Sequence, residues 1–228
     1  MQYMYWLITI SRRADVKKLQ ELYQRLEVPI LYTSVAYGTA TSQTLDLLGI
    51  ARSEKAVHQT VVTYNKLYQL KQALERDFQI DLPDRGIALA VPLSGIATKT
   101  ALDFFAGGQA EDAMNNIQNP KPDTELIVVV CTKGHTEQIM DVARSAGAGG
   151  GTVFHAKGTA PEGAERFFGV SIVDEKEIVY IVSTKEKRNA IMQAITDAAG
   201  VGTEAHALVF SLPVSETVGM RLQYDDHL

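Results

Sequence analysis

The stretch GAGGGTVFHAKGTA, residues 147–160, decides how the second half of the chain is built. The segment before it, TEQIMDVARSA, has a helical pattern, and the β-branched TVFHA within it is typical of a strand. Glycines between a helix and a strand favour a helix C-cap followed by a tight turn. A dinucleotide loop would have a strand before the glycines and a helix after them, and a P-loop would end in Lys and Ser or Thr. Neither pattern is present, so the stretch predicts a structural turn.

The residues around this turn have counterparts about 120 residues earlier in the chain, which is the mark of an internal repeat. A single gap near residue 52 keeps the two copies in register along most of their length. The aligned segments are YGTA (37–40) with KGTA (157–160), LLGI (47–50) with FFGV (167–170), EKAV (54–57) with EKEI (175–178), and IALAVPLS (87–94) with LVFSLPVS (208–215). Because the apolar pattern is kept in order, we predict a tandem duplication.

Each copy is predicted to run strand, helix, strand, strand, helix, strand, which is the order of the ferredoxin-like fold. The predicted elements are 4–11, 14–26, 30–37, 56–63, 65–77 and 86–92 in the first copy, and 125–131, 136–146, 152–157, 177–184, 186–199 and 207–213 in the second. We therefore expect an α+β protein with two tandem ferredoxin-like (βαββαβ) domains. Each would be an antiparallel sheet with both helices on one face.

The domain limits follow from the repeat and from the prolines between the copies. Residues 1–97 are predicted to form the first domain and residues 124–228 the second. The linker 98–123 contains two segments with short-helix character, ALDFF and AEDAMNNI. It ends in NPKPD, which is expected to be extended because each proline disfavours helix in the residue before it.

Composition excludes several classes of protein. The 228 residues carry a net charge of −5, and no basic cluster stands out, which argues against nucleic-acid binding. A single cysteine excludes an internal disulfide and fits a reducing compartment. The apolar run in MQYMYWLITISRR is too short to cross a bilayer and reads as a strand. We expect a cytoplasmic protein without membrane insertion.

Four segments of the second copy together resemble the PII signalling proteins and their PII-like relatives. They are AGAGGGTVFHAKGTA (146–160), FFGV (167–170), EKEIVYIV (175–182) and ALVFSLPVSETVGM (207–220). The first copy shares the resemblance through the repeat and through GIALAVPLSG (86–95). The resemblance implies oligomers, usually trimers, that bind ATP or ADP between subunits. It also implies a T-loop that changes shape to engage a protein partner, and regulation rather than catalysis.

The chain departs from the family pattern at the phosphate-binding B-loop and at the T-loop. Leu208 and Ile87 stand where the resemblance leads us to expect a lysine, and Ala205 and Ala207 stand where we expect glycines. Loss of that lysine removes a charge that would pair with phosphate. The T-loop equivalents, 38–46 and 158–166, are short. The expected effector is therefore ATP, ADP, AMP or a small anion, and the alternative is a structural oligomer that has lost nucleotide binding.

The resemblance implies ligand contacts at the bases of the two short loops, in the B-loop turns and after the last strand. The expected residues are Gly38, Thr39, Gly86, Gly158, Thr159, Lys176, His206 and Arg221. Homo-oligomerisation, as a trimer or a dimer, and a regulated protein partner are also expected. No catalytic residue and no metal site are expected.

Two other chemistries are weaker interpretations of the sequence. Cys131, His135 and His155 suggest a thiol or metal site, but no second cysteine or ligand-spaced partner accompanies them. Arg12 and Arg13 follow the first strand, as an arginine does in small acyl phosphate hydrolases, but the glycine-rich signature of those enzymes is missing. Neither alternative displaces the regulatory interpretation.

Overall fold

The computed structural model describes residues 4–39, 53–93, 103–105, 123–157, 166–167, 170–171 and 175–219. The chain divides into two compact units. The first unit comprises Met1–Ser34, Ala56–Lys121 and Val214–Leu228, and the second comprises Val35–Lys55 and Pro122–Pro213. Each unit therefore contains chain from both predicted copies. The limits 1–97, 98–123 and 124–228 stay a prediction about the duplicated halves.

The first unit has ferredoxin-like strand order. Its strands are β1 (Met4–Arg12), the start of β2 (Tyr32–Gly38), most of β3 (Glu54–Thr63) and β4 (Gly86–Pro92), and its helices are α1 (Val16–Arg25) and α2 (Tyr64–Ala73). The order across the sheet is β4-β1-β3-β2. The β1–β4 pairing is antiparallel and aligns Ile8 with Leu89. Both the element order and the antiparallel pairing agree with the sequence prediction.

The core of the first unit lies between the sheet and its two helices. Helical spacing places Leu19, Leu22 and Tyr23 of α1 on one buried face, and Leu67 and Leu70 of α2 on another. Both faces pack with residues of β1, β3 and β4 in a single apolar cluster. The cluster's strand members are Tyr5, Leu7, Val62, Ala88 and Ala90. Their alternate spacing confirms that both helices cover the same face of the sheet.

The second unit repeats this architecture. Its elements are β5 (Thr124–Thr132), α3 (Thr136–Ser145), β6 (Thr152–Lys157), β7 (Arg166–Phe167), β8 (Val170–Ser171), β9 (Glu175–Thr184), α4 (Lys185–Ala199) and β10 (Leu208–Val214). The sheet order β10-β5-β9-β6 is the ferredoxin-like order once more. The end of β2 adds to this sheet, where Tyr37 and Gly38 pair with Val153 and Thr152 of β6. The strands β7 and β8 pair with each other in a separate sheet.

The core of the second unit is apolar on both faces of its central strands. Ile127 and Val129 of β5 pack with Ile139 of α3 and with Ile191 and Ile195 of α4. On the other face, Leu126 and Val128 of β5 and Tyr180 of β9 are buried as well. The nearly continuous apolar runs LIVVV and IVYIV follow from this burial on both sides, as the sequence predicted.

Some local features differ from the sequence prediction. The helix expected at 14–26 begins with a 3-10 turn at Arg13–Asp15, and the helix expected at 65–77 ends in a π-turn at Leu74–Phe78. The wider turn allows both Phe78 and Ile80, which follow α2, to be fully buried. Residues 103–105 of the linker are helical, whereas the segment AEDAMNNI lies outside the described residues.

A strand after β10 was not predicted. This strand, β11 (Glu216–Val218), pairs antiparallel with β4 in the first unit, and Thr217 aligns with Leu89. Val218 is buried in the core of that unit, and Glu216 forms an ion pair with Lys71 of α2 at 2.8 Å. The strand is too short to show period-2 alternation in the sequence, so only its tertiary partners identify it.

We expect Thr60→Val to stabilise the protein by about 1 kcal/mol, because the hydroxyl of Thr60 is buried and has no hydrogen-bond partner among the described residues. Valine has nearly the same shape and removes that unsatisfied oxygen. Urea unfolding followed by circular dichroism measures the change. The matched control is Thr9→Val, since the buried Thr9 hydroxyl hydrogen-bonds to Tyr23 at 2.6 Å and its loss should destabilise. Equal effects of the two substitutions would contradict the prediction.

Candidate functional site

The glycine-rich turn is a helix C-cap, as the sequence predicted. Gly147 has φ +99°, and its N–H donates to the carbonyl of Arg144 at 2.9 Å. The N–H of Ala148 donates to the carbonyl of Ala143 at 3.0 Å. This pair of bonds is the Schellman motif, in which a left-handed residue ends the helix and satisfies its last carbonyls. The backbone N–H groups at the start of the turn therefore hydrogen-bond to the last carbonyls of α3.

Two residues predicted to contact ligand, Gly38 and Thr39, lie against this turn. The N–H of Thr39 donates to the carbonyl of Gly151 at 2.9 Å, and the N–H of Gly151 donates to the Thr39 hydroxyl at 2.8 Å. The Arg144 guanidinium donates to the carbonyl of Thr39. Gly38 donates its N–H to the carbonyl of Ser53 at 2.9 Å. These groups anchor the end of β2 at the start of β6.

The turn that corresponds to the B-loop, residues 200–207, is folded on itself. Thr203 donates from its hydroxyl and its N–H to the carbonyl of Gly200, both at 2.9 Å. Ala205 and Ala207 are buried in the core of the second unit, which gives a packing reason for alanines at the positions where glycines were expected. His206 has φ +46° and bonds through Nδ1 to the carbonyl of Val201 at 2.8 Å.

Three segments meet where β5 ends. The N–H of Thr132 donates to the carbonyl of Ala205 at 2.9 Å, and this bond joins β5 to the 200–207 turn. The N–H of Lys133 donates to the carbonyl of Glu175 at 3.3 Å, and this bond joins the chain after β5 to the start of β9. The Nζ of Lys176 lies 3.5 Å from the hydroxyl of Thr132. We call Thr132, Lys176 and the 205–206 turn the candidate site.

Lys176 provides the positive charge of the candidate site. Within the described ranges, no carboxylate lies within ion-pair distance of its ammonium group, and the hydroxyl of Thr132 is its hydrogen-bond partner. The neighbouring Lys133 differs, because its Nζ lies 2.6 Å from Oε2 of Glu175. A partly buried ammonium group beside a hydroxyl and a tight turn is suited to hold a small anion.

Glu177 lies next to Lys176 in β9 and is 4% exposed. Its Oε2 accepts from the Thr136 hydroxyl at 2.5 Å and from the Gly134 N–H at 3.1 Å. Its Oε1 accepts from the Tyr37 hydroxyl at 3.0 Å. Burial alone would raise the pKa of the Glu177 carboxyl, but these hydrogen bonds favour the charged form and hold the pKa below its usual value. The carboxylate is thus an ionised, fully bonded group in the interior.

Gly86, in the first unit, occupies a tight packing position. A Cβ at Gly86 would lie 2.2 Å from the carbonyl oxygen of Ile10 in β1. Gly219 follows β11 with φ +77°, and a Cβ there would lie 2.7 Å from the carbonyl of Gly86 and 2.8 Å from that of Ile80. The beginning of β4 is therefore enclosed by β1 on one side and by the chain after β11 on the other.

The structure brings together some of the predicted site residues and separates others. Lys176 and His206 belong to the candidate site, since Thr132 bonds to the turn that contains His206. Gly38 and Thr39 lie beside the start of β6, whereas Lys176 pairs with Ala156 near its end. The predicted Gly158, Thr159 and Arg221 lie outside the described residues. That these eight residues contact a ligand stays a prediction.

Sequence reasoning missed Thr132, Glu177 and Tyr37. The signal for Glu177 was its position in EKEIVYIV, where period-2 alternation puts it on the same face as the buried Val179 and Ile181. A carboxylate on an inward face requires partners. Those partners, however, come from segments that are distant in sequence, so Tyr37 carried no signal of its own.

The thiol and metal interpretation gains no support from the described part of the chain. No group of three or more His, Cys, Asp or Glu side chains is close enough there to hold a metal ion. Burial raises the pKa of the Cys131 thiol to about 11, and the thiol lies 3.6 Å from the carbonyl of Glu177. Cys131 is therefore a protonated, buried side chain at neutral pH.

The second half of the chain has the ferredoxin-like order of strands and helices, and within the described residues Lys176 at the start of β9 has the Thr132 hydroxyl, and no carboxylate, as its partner. Residues 124–224 match the family model "Nitrogen regulatory protein P-II". This match confirms the resemblance of the second half of the chain to the P-II family that was drawn from the sequence. The first half has the same order of strands and helices, and its origin by duplication stays a prediction.

Solved structures add a distant match. One is described as "Crystal Structure of Arabidopsis thaliana PII bound to citrate". It is 19% identical, with a TM-score of 0.34, and the match covers 43% of this chain and 81% of that chain. No curated protein sequence matches the chain. Among the helices of the described residues, none combines the length and the apolar character needed to cross a membrane.

Proposed function

We propose that this protein is a PII-like regulatory protein that senses a small molecule and acts on a partner protein without catalysis. The observation that carries the proposal is the position of Lys176, whose ammonium group lies at the start of β9 in the P-II family part of the chain. It has no carboxylate partner among the described residues. A ligand bound by this group can bias the shape of the adjoining segment if it binds one shape more tightly than the other.

The ligand that fits this charge best is a small anion or the phosphate of an adenine nucleotide. Lys176 and the hydroxyl of Thr132 provide one positive charge and one neutral donor. Leu208, at the position where a second lysine was expected, is 57% exposed and offers neither. A carboxylate, a monophosphate or AMP needs fewer compensating cations than ATP, and we propose Arg221 as the second cation.

We further propose that the protein works in the cytoplasm as a homo-oligomer, either a trimer or a dimer. The P-II family resemblance supports this proposal. Light scattering on the purified protein measures the assembly mass directly, and a monomer at micromolar concentration would count against it.

Thermal unfolding with a ligand panel tests the function. The panel contains ATP, ADP, AMP, cyclic nucleotides, 2-oxoglutarate, citrate, bicarbonate and inorganic phosphate. A ligand at about 100 times its Kd adds about 2.7 kcal/mol of stability, which raises Tm by several degrees. We expect one of these anions to do so, and we expect Lys176→Ala to weaken its binding by about 10- to 100-fold, as loss of a charge-assisted contact does.

The control is Lys187→Ala, which removes an exposed lysine of α4 and should leave binding unchanged. If both lysine variants bind equally well, the ligand does not use the candidate site. If no ligand in the panel raises Tm, the second candidate function is favoured, a structural oligomer. The exposed Leu208 and Phe210 on β10 support that alternative, since apolar side chains on a sheet are suited to contact protein.

A further inference from the structure

The carboxylate of Glu177 has two sides that face different parts of the second unit. Its Oε2 is bound by Gly134 and Thr136, which form the turn after β5 and the first residue of α3. Its Oε1 is bound by the hydroxyl of Tyr37 near the end of β2. One buried, ionised group therefore connects the segment next to the candidate site with the end of a strand that comes from the first half of the sequence.

The end of β2 pairs with this sheet over a short ladder, and it is also held by the Arg144 guanidinium, which donates to the carbonyl of Thr39, and by the ring contact of Tyr37 with His155. Its register with β6 consists of two residue pairs, Tyr37 with Val153 and Gly38 with Thr152. Beyond them Thr39 bonds to Gly151. A ladder of two residue pairs provides little cooperative stability, so a charge-assisted hydrogen bond from Tyr37 to a buried carboxylate adds to the stability with which the end of β2 is held.

The candidate site and Glu177 are connected through the backbone. Lys176 and Glu177 are adjacent in β9, and Thr132 is separated from Gly134 by Lys133 alone. A ligand that moves the turn after β5 or the start of β9 would shift the Gly134 amide and the backbone that position Glu177. A buried carboxylate with all of its partners in place tolerates little displacement, because any lost partner leaves an unsatisfied charge.

We propose that Glu177 is a positioning residue that couples the candidate site to the end of β2, so that a change on the side of Gly134 and Thr136 alters how firmly Tyr37, Gly38 and Thr39 are held. Gly38 and Thr39 are the first residues of one of the two T-loop equivalents, 38–46. Coupling of this kind is reciprocal, and a change at Tyr37 is felt at the Gly134 amide. Only the identity of the ligand rests on the proposed function.

Hydrogen–deuterium exchange in the full-length protein without ligand tests the coupling. The reporters are the amides of Gly38 and Thr39, which donate to Ser53 and Gly151, and the amide of Gly134, which donates to Glu177. We expect Thr136→Val to speed exchange at Gly38 and Thr39 by about tenfold, although Thr136 bonds to neither residue. Thr136→Ser keeps the hydroxyl and should restore slow exchange.

Tyr37→Phe removes only the hydroxyl on the other side of the carboxylate, and we expect it to speed exchange at the Gly134 amide. The control is Arg188→Met, which breaks the ion pair with the buried Glu125 at 3.0 Å and destabilises the same unit elsewhere. If Thr136→Val affects Gly38 and Thr39 no more than Arg188→Met does, the coupling is overturned. Because no ligand is added, this result is independent of whether the ligand panel succeeds.

Discussion

Gly86→Ala is expected to destabilise the first unit by about 3 to 5 kcal/mol, a large part of the stability of an ordinary domain. The new Cβ would lie 2.2 Å from the carbonyl oxygen of Ile10, and 3.3 Å from both the carbonyl carbon of Ile10 and Cα of Ser11. All three atoms are backbone atoms of β1, which pairs with β4 along its length. No side-chain rotation relieves such a contact, so the two strands must separate at this point.

Separation of β1 and β4 would also disturb the contact with Gly219. The chain at Gly219 passes close to the carbonyl of Gly86, since a Cβ at Gly219 would lie only 2.7 Å from it, so a shift of β4 in that direction is restricted. The expected loss is therefore larger than for an overpacked side chain in a core that can relax.

Urea unfolding followed by tryptophan fluorescence measures this effect. Trp6 is the single tryptophan of the protein and lies in β1, paired with Val91 of β4, so its emission reports the first unit. The matched control is Gly202→Ala in the corresponding turn of the second unit, where an added Cβ meets no atom within 4 Å. We expect that control to change stability by less than about 0.5 kcal/mol. Similar midpoints for the two variants would refute the steric argument.

The second large effect is a loss of stability in mild acid caused by His58. This side chain is 1% exposed in the first unit, and its ring nitrogens lie 3.2 Å from the Ser11 hydroxyl and 3.0 Å from the Thr33 hydroxyl. Burial lowers the pKa of His58 from 6.5 to about 4. The native state therefore keeps the ring neutral, while the unfolded chain binds a proton at higher pH.

The direction of the pH dependence follows from that difference. Below pH 6.5 the unfolded state binds more protons than the native state, so the free energy of unfolding falls as the pH falls. The loss continues to about pH 4, where the native ring is protonated as well. Each pKa unit corresponds to about 1.36 kcal/mol, so the total loss from this residue is about 3 kcal/mol.

Chemical denaturation at a series of pH values between 7 and 4, followed by Trp6 fluorescence, measures the loss. The comparison variant is His58→Gln, which can still hydrogen-bond to a hydroxyl but does not titrate. We expect the variant to be less stable at pH 7 and to lose less stability on acidification. Parallel pH profiles for the two proteins would show that His58 is not the group responsible. Glu177 contributes in the same direction but at lower pH, because its pKa is lowered and its stabilisation is lost as the pH falls through that value.

Much of the fold could be predicted from the sequence because it rests on local patterns. The alternation in EKEIVYIV and the helical spacing of Leu19 and Leu22 each reflect one element packing on one core, and the structure has those elements where the patterns put them. The glycine turn at 147–151 was predictable for the same reason, since a left-handed C-cap depends on a few adjacent residues.

The candidate site was predictable only in part. Lys176 could be predicted as a ligand contact because it lies near the start of a strand, at the base of a loop, in a segment that resembles the PII proteins. The buried Glu177 beside it, and its partner Tyr37, could not be paired, because they are far apart in sequence and neither has a distinctive local pattern. Nothing in residues 32–38 indicates that the end of β2 joins the sheet of the second unit.

The sequence by itself determined the repeated order of strands and helices, the turn after α3 and the P-II family resemblance of the second half. Each of these depends on residues within a few positions of one another or on a pattern kept in register. Only the tertiary structure decided that Val35–Lys55 belongs to the second unit, that β11 returns to β4, and that Glu177 joins Tyr37 to Thr136. The physical reason is that strand edges and buried charges are satisfied by whatever donor or acceptor the fold brings near, and sequence separation does not limit that choice.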